Sequence, residues 1–133
     1  MMSIDYIGVG AATVVAMVIG ALWYSPLMFL KPWMRAQGKE YPCPPEKGAA
    51  AAITNAAAMN IITALALSEV FQWRAVNSIS DALVTALLMA VGFVVSNQLM
   101  RDRFHGATAM LSLINAANTI VVFLAMGLVL ALV

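Results

Sequence analysis

Four long apolar stretches, separated by short polar segments, dominate the pattern of this chain. They cover residues 6–30, 49–71, 79–100 and 107–133. Each is at least as long as the roughly 20 apolar residues that an α-helix needs to cross a bilayer, and the continuous runs lack the alternation of a membrane β-strand. The pattern predicts an all-α membrane protein, an antiparallel bundle of four transmembrane helices. The whole of residues 1–133 is expected to form a single transmembrane domain without an extramembrane domain.

Composition supports this class and excludes others. Apolar residues make up 63% of the chain and charged residues only 10%, whereas soluble domains carry about 25% charged residues. A net charge of +1 offers no basic field, so we expect no nucleic-acid partner. A single cysteine excludes a disulfide scaffold.

Basic residues predict the orientation. Six of the seven fall in the loops 31–48 and 101–106, which share one side of a four-span protein, and only Arg74 falls on the other side. Lysine and arginine collect on the cytoplasmic side of membranes, so these loops are predicted to be cytoplasmic and both termini outside. The N-terminal tail has no basic residue, which favours a permanent first span over a cleaved signal.

Uncharged polar residues gather in the cytoplasmic half of the predicted bundle. At 1.5 Å of rise per residue, Asn60 and Asn118 each lie about 16 Å from the cytoplasmic start of their spans, in one layer near the midplane. The other polar candidates in this half are Tyr24, Ser25, Ser96, Asn97 and Asn115. They are interpreted either as hydrogen-bonding contacts between helices or as the lining of a vestibule that binds a small polar solute or headgroup.

Small residues recur every four positions along the first two spans. The series are Gly8, Ala12, Ala16 and Gly20, and then Ala52, Ala56, Asn60, Ala64 and Ser68. Such series let helix backbones approach closely, either within one chain or between copies in a homo-oligomer. The presence of two such series exceeds what one four-helix bundle needs and favours an oligomer.

Aromatic residues and a proline mark the cytoplasmic end of the first span. Pro26 removes the hydrogen bond to the Leu22 carbonyl and kinks or ends the helix. Trp23 and Trp33 fit an interfacial belt, and the alternative is that Tyr24 and the freed carbonyl line the vestibule.

Groups for catalysis or metal binding are scarce. His105 and Cys43 cannot supply the ligands of a zinc site, so we expect no catalytic residues, metal or cofactor. Glu69 is predicted to reach the interface or to pair with Arg74, and it is the candidate for guarding an outer mouth.

Two segments carry a family resemblance. They are GALWYSPLMFLKPWMRAQGK at residues 20–39 and LINAANTIVVFLAMGLVLAL at residues 113–132. With four spans in this length, they resemble the bacterial membrane family catalogued as domain of unknown function 1761. The most specific part is Gly-x-x-Trp-Tyr-Ser-Pro at residues 20–26, followed by Phe29 and Trp33. The resemblance implies the topology, in the bacterial inner membrane, and no activity.

The functional expectation is a non-enzymatic structural or accessory subunit that forms an oligomer or joins a larger membrane complex. The alternative is binding or transport of a small neutral or polar solute through the vestibule.

Overall fold

The computed structural model describes residues 6–38 and 49–133. Those residues form helices and turns and contain no strand. Four helices are long and apolar enough to cross a membrane, so the predicted all-α architecture of four spans is confirmed. Residues 39–48, which include Cys43 and two of the lysines used to predict the orientation, lie outside the described residues.

The first helix, α1, runs from Tyr6 to Trp23 and ends before the first apolar stretch does. Pro26 has no N–H to donate to the Leu22 carbonyl, so the helix cannot continue through it. Ser25 takes over that carbonyl, because its backbone N–H and its hydroxyl both donate to the Leu22 oxygen, at 3.1 and 2.6 Å. A short helix, α2, follows at Leu30–Ala36, partly within the loop predicted from the sequence.

The rest of the chain forms three further long rods joined by tight turns. The elements are α3 (Ala49–Trp73), α4 (Ile79–Met89), a π-helical segment (Ala90–Val95), α5 (Ser96–Phe104) and α6 (Ala109–Leu132). The π segment joins α4 and α5 into one rod. The side chains of Ser78 and Thr108 cap α4 and α6 by accepting from backbone N–H groups three residues on, at 3.1 and 3.2 Å.

The core is built from small residues on helices that approach closely. α1 packs against α6 and α3, and α4 packs against α6. Met126, at 0% exposure, lies among the ten buried residues that the structure describes in this core, and half of the ten are alanines: Ala12, Ala16, Ala64, Ala82 and Ala86. A Cβ atom added at Gly127 would lie 2.9 Å from the Ala86 Cβ, so α4 and α6 come this close only because residue 127 is glycine.

The bundle has two ends that differ in polar contacts. We call the end with α2, the start of α3 and the α5–α6 turn the α2 end, and the end with the α3–α4 turn the Arg74 end. At the Arg74 end, one guanidinium nitrogen of Arg74 donates to an Asp81 carboxylate oxygen at 2.7 Å and to the Thr85 hydroxyl at 2.5 Å. Arg74 therefore joins the start of α4 to the end of α3.

Candidate binding cleft

A cleft of about 760 Å³ opens in the α2 half of the bundle. This volume falls in the range of about 300–1,000 Å³ that is usual for small-molecule sites. Residues of α1, α3 and α6 form most of its wall, and Tyr24 just after α1, Trp33 of α2 and Val94 of the π segment complete the described lining. Most of the lining is apolar, and its polar side chains are Tyr24, Asn60, Thr63, Asn118 and Thr119, with the indole of Trp33.

The structure brings together Asn60 and Asn118, which helical rise had placed in one layer. Both line the cleft, but they do not bond to each other. The Asn60 amide nitrogen donates to the Met17 sulfur at 3.2 Å. A thioether is a weak acceptor, so this donor is poorly satisfied.

Asn118 carries the most unusual polar atom of the cleft. Its Oδ1 is buried and accepts no hydrogen bond from the described residues. Buried polar atoms almost always have a partner, since an amide left unpaired in an apolar environment loses the hydrogen bonds it had in water. Asn118, a residue of the cleft wall, therefore carries an unpaired acceptor that a rotation of its amide would turn toward the cleft.

Tyr24 lines the cleft, while its hydroxyl is used in holding α1 to α6. The Tyr24 hydroxyl donates to Asn115 Oδ1 at 2.7 Å, and the Trp23 indole N–H donates to the Ile114 carbonyl at 3.1 Å. The Tyr24 ring meets the Trp33 ring edge-on, with 5.1 Å between centroids. Trp23 and Tyr24 thus hold the end of α1 against α6. The rings of Tyr24 and Trp33 form part of the cleft wall.

The structure places Ser25, Ser96 and Asn97 away from the cleft lining. Ser25 is occupied with the Leu22 carbonyl, and the exposed Ser96 hydroxyl donates to the Gly92 carbonyl of its own helix at 2.7 Å. Asn97 is exposed. The π segment explains the positions of Ser96 and Asn97, because its wider turns rotate all later residues relative to regular α-helical numbering.

Hydroxyl groups in the spans mostly bond within their own helix. Thr13, Thr54, Thr63 and Thr119 each donate to the carbonyl four residues back, at 2.8 to 3.2 Å. Asn115 does join two helices, through Tyr24. The interpretation of the polar residues as hydrogen-bonding contacts between helices therefore holds for Asn115. It does not explain Asn118, whose Oδ1 has no partner among the described residues.

A polar cluster near the α5–α6 turn was not singled out from the sequence. Ser112 is buried, and its hydroxyl donates to Asp102 Oδ2 at 2.7 Å and accepts from Arg103 at 3.2 Å. Gln98 donates to the Ser112 carbonyl at 3.3 Å. The sequence signal for this cluster was that its residues lie on both sides of a short turn. The basic segment RDRFH, residues 101–105, therefore joins α5 to α6 through Asp102 and Arg103 besides carrying positive charge.

Glu69 does not form the ion pair with Arg74 that was one of the two settings predicted for it. Arg74 pairs with Asp81 rather than with Glu69. A second cavity of about 580 Å³ lies at the Arg74 end, and Glu69 is not among its lining residues. Within residues 6–38 and 49–133, no group of three His, Cys, Asp or Glu side chains lies close enough to hold a metal ion.

Four apolar helices with a largely apolar cleft between them define a small helical membrane protein. The chain belongs to the family described as Protein of unknown function (DUF1761), whose sequence profile matches residues 7–131. The resemblance to domain of unknown function 1761 is thereby confirmed over residues 7–131. No curated protein and no solved structure is detectably similar to it.

Proposed function

We propose that this protein binds a small ligand in the cleft, without catalysing a reaction. The observation that carries the proposal is the buried, unpaired Oδ1 of Asn118 in a cleft of ligand size. A ligand that brings a hydrogen-bond donor satisfies this atom, and Asn60 can exchange its weak sulfur acceptor for the same ligand. The described lining residues include no charged side chain, which favours an uncharged ligand.

Replacement of Asn118 tests the proposal. We expect a compound to co-purify with the wild-type protein in mild detergent at about one per chain, detected by mass spectrometry of the intact protein and of its organic extract. Asn118→Leu removes the acceptor at similar volume and should weaken the affinity about tenfold, the equivalent of one hydrogen bond of about 1.4 kcal/mol, so the variant should retain clearly less of the compound through purification.

Asn97→Leu is the matched control, because Asn97 is exposed and does not line the cleft. It should retain the compound at wild-type occupancy. An empty wild-type protein, or equal loss in both variants, would contradict the proposal.

The second candidate is the structural or accessory role, with a second copy of the chain as the partner. α3 is the least buried of the four long helices. Ala51, Asn55 and Ala58 are exposed on one of its faces, outside the cleft. Small residues allow close approach of helices, and an Asn55 amide in apolar surroundings gains a partner when two copies meet.

The mass of the intact assembly decides this second candidate. We expect a dimer of the 14.1 kDa chain, and Ala58→Trp should reduce it to one chain because the bulky ring holds α3 helices apart. Val84→Trp, at an exposed position of α4, serves as control and should stay dimeric. A monomeric wild-type protein would exclude the self-association, and the ligand proposal does not depend on it.

A further inference from the structure

The first half of α3 stands apart from the other helices beside the cleft. None of residues 50–63 is buried, whereas Ala64, Leu67 and Phe71 are. α3 packs extensively only against α1 and touches α4 and α6 in few places. Val94 of the π segment also lines the cleft, and it remains 37% exposed. A gap therefore separates α3 from the π segment alongside the cleft.

This gap lies at the depth of the hydrocarbon layer. Asn60 is about 16 Å from the start of α3, and Val94 is about 15 Å from the end of α5, at 1.5 Å of rise per residue. The apolar layer is about 30 Å thick, so both residues lie near its middle. Ile53, which lines the cleft nearer the α2 end, is also exposed. In a bilayer crossed by the four helices, the gap would therefore face acyl chains rather than water.

The lining specifies the chemistry of a molecule that enters by this route. Apolar side chains such as Met17, Val122 and Phe123 suit a hydrocarbon chain. The buried, unpaired Asn118 Oδ1 gains a partner when its amide turns toward a ligand that carries a donor. A charged headgroup would find no opposite charge among the described lining residues. A long apolar chain that ends in a hydroxyl group suits the apolar wall, supplies the donor and carries no charge.

We propose that the cleft takes a neutral long-chain alcohol directly from the bilayer, through the gap between α3 and the π segment. The alcohol hydroxyl donates to Asn118 Oδ1, and its chain lies against the apolar wall. This inference rests on the proposed function and specifies the ligand class and its route.

A photoreactive alcohol tests the ligand class. The probe is hexadecanol with a diazirine in its chain, added to the protein in phosphatidylcholine vesicles, and the matched probe is its methyl ether, which has no donor. We expect saturable labelling of cleft-lining peptides by the alcohol, at about tenfold lower concentration than by the ether. Asn118→Leu should remove this difference between the two probes.

A pair of tryptophan variants tests the route. Val94→Trp fills the gap and should slow labelling severalfold, whereas Phe93→Trp, at an exposed position outside the lining, should leave it unchanged. Equal rates in the two variants would overturn the route through the gap.

The outcomes separate this inference from the proposed function. A water-soluble compound in the extract of the wild-type protein, with no saturable labelling by the alcohol, overturns the long-chain ligand and leaves binding in the cleft standing. Equal labelling by alcohol and ether overturns the role of the hydroxyl. No compound and no labelling overturns both.

Discussion

Single residues determine how closely the helices of this protein approach. Glycines that look alike in the sequence have different surroundings: a Cβ at Gly127 would meet Ala86 and Phe71, while a Cβ at Gly10 or Gly20 would meet nothing within 4 Å. Gly20 instead borders the cleft, where the missing side chain leaves space. The same residue type thus closes the bundle in one half and keeps it open in the other.

The contrast between Gly127 and Gly10 predicts opposite effects of one substitution. Gly127→Ala places a methyl group 2.9 Å from the Ala86 Cβ and should lower the free energy of unfolding by about 1–3 kcal/mol, the usual cost of overpacking. Gly10→Ala meets no neighbour and should be neutral or stabilising by up to about 1 kcal/mol, because alanine favours the helix. Thermal unfolding in detergent measures both, and equal effects would argue against the close contact of α4 and α6.

At the scale of elements, the apolar runs predict the four spans, and local chemistry then decides their ends and faces. Pro26 signals that α1 cannot continue, yet only the structure shows Ser25 taking over the freed carbonyl. The common depth of Asn60 and Asn118 follows from helical rise and holds in the cleft lining.

The π segment shows why part of the candidate site could not be predicted. Regular spacing places Thr85, Gly92 and Ser96 on one face, but Thr85 is buried while Gly92 and Ser96 are exposed. The residue types between positions 90 and 95 do not distinguish a π turn from a regular α-helix, because Val, Gly and Phe also occur in the α-helices of membrane proteins. The pairing of Arg74 with Asp81 could not be predicted from the sequence either, because it depends on the geometry of the α3–α4 turn.

At the scale of the whole molecule, the charge pattern supports an orientation in the membrane. We propose that the α2 end faces the cytoplasm of a bacterial inner membrane and that the Arg74 end and both termini face outward. Arg101 and Arg103 at the end of α5 lie on the same side as the α2 residues Lys31 and Arg35. Arg74 is the one basic residue at the opposite end among the described residues.

Cysteine labelling tests this orientation. Asn77 is exposed in the α3–α4 turn, so Asn77→Cys should react with an impermeant maleimide added to intact cells, while the native Cys43 should react only after the membrane is opened. The wild-type protein supplies the control for Cys43. Reaction of Cys43 in intact cells with protection at residue 77 would reverse the orientation.

The contact between α1 and α6 has a consequence for the order of assembly. The hydrogen bonds from Trp23 to Ile114 and from Tyr24 to Asn115 each join residues 91 positions apart. During synthesis, α1 therefore waits in the bilayer without its main partner until α6 is inserted. Among the described helices, α3 is the one that offers α1 an extensive contact before then. The cleft, which needs walls from α1, α3 and α6, accordingly forms only after α6 is inserted.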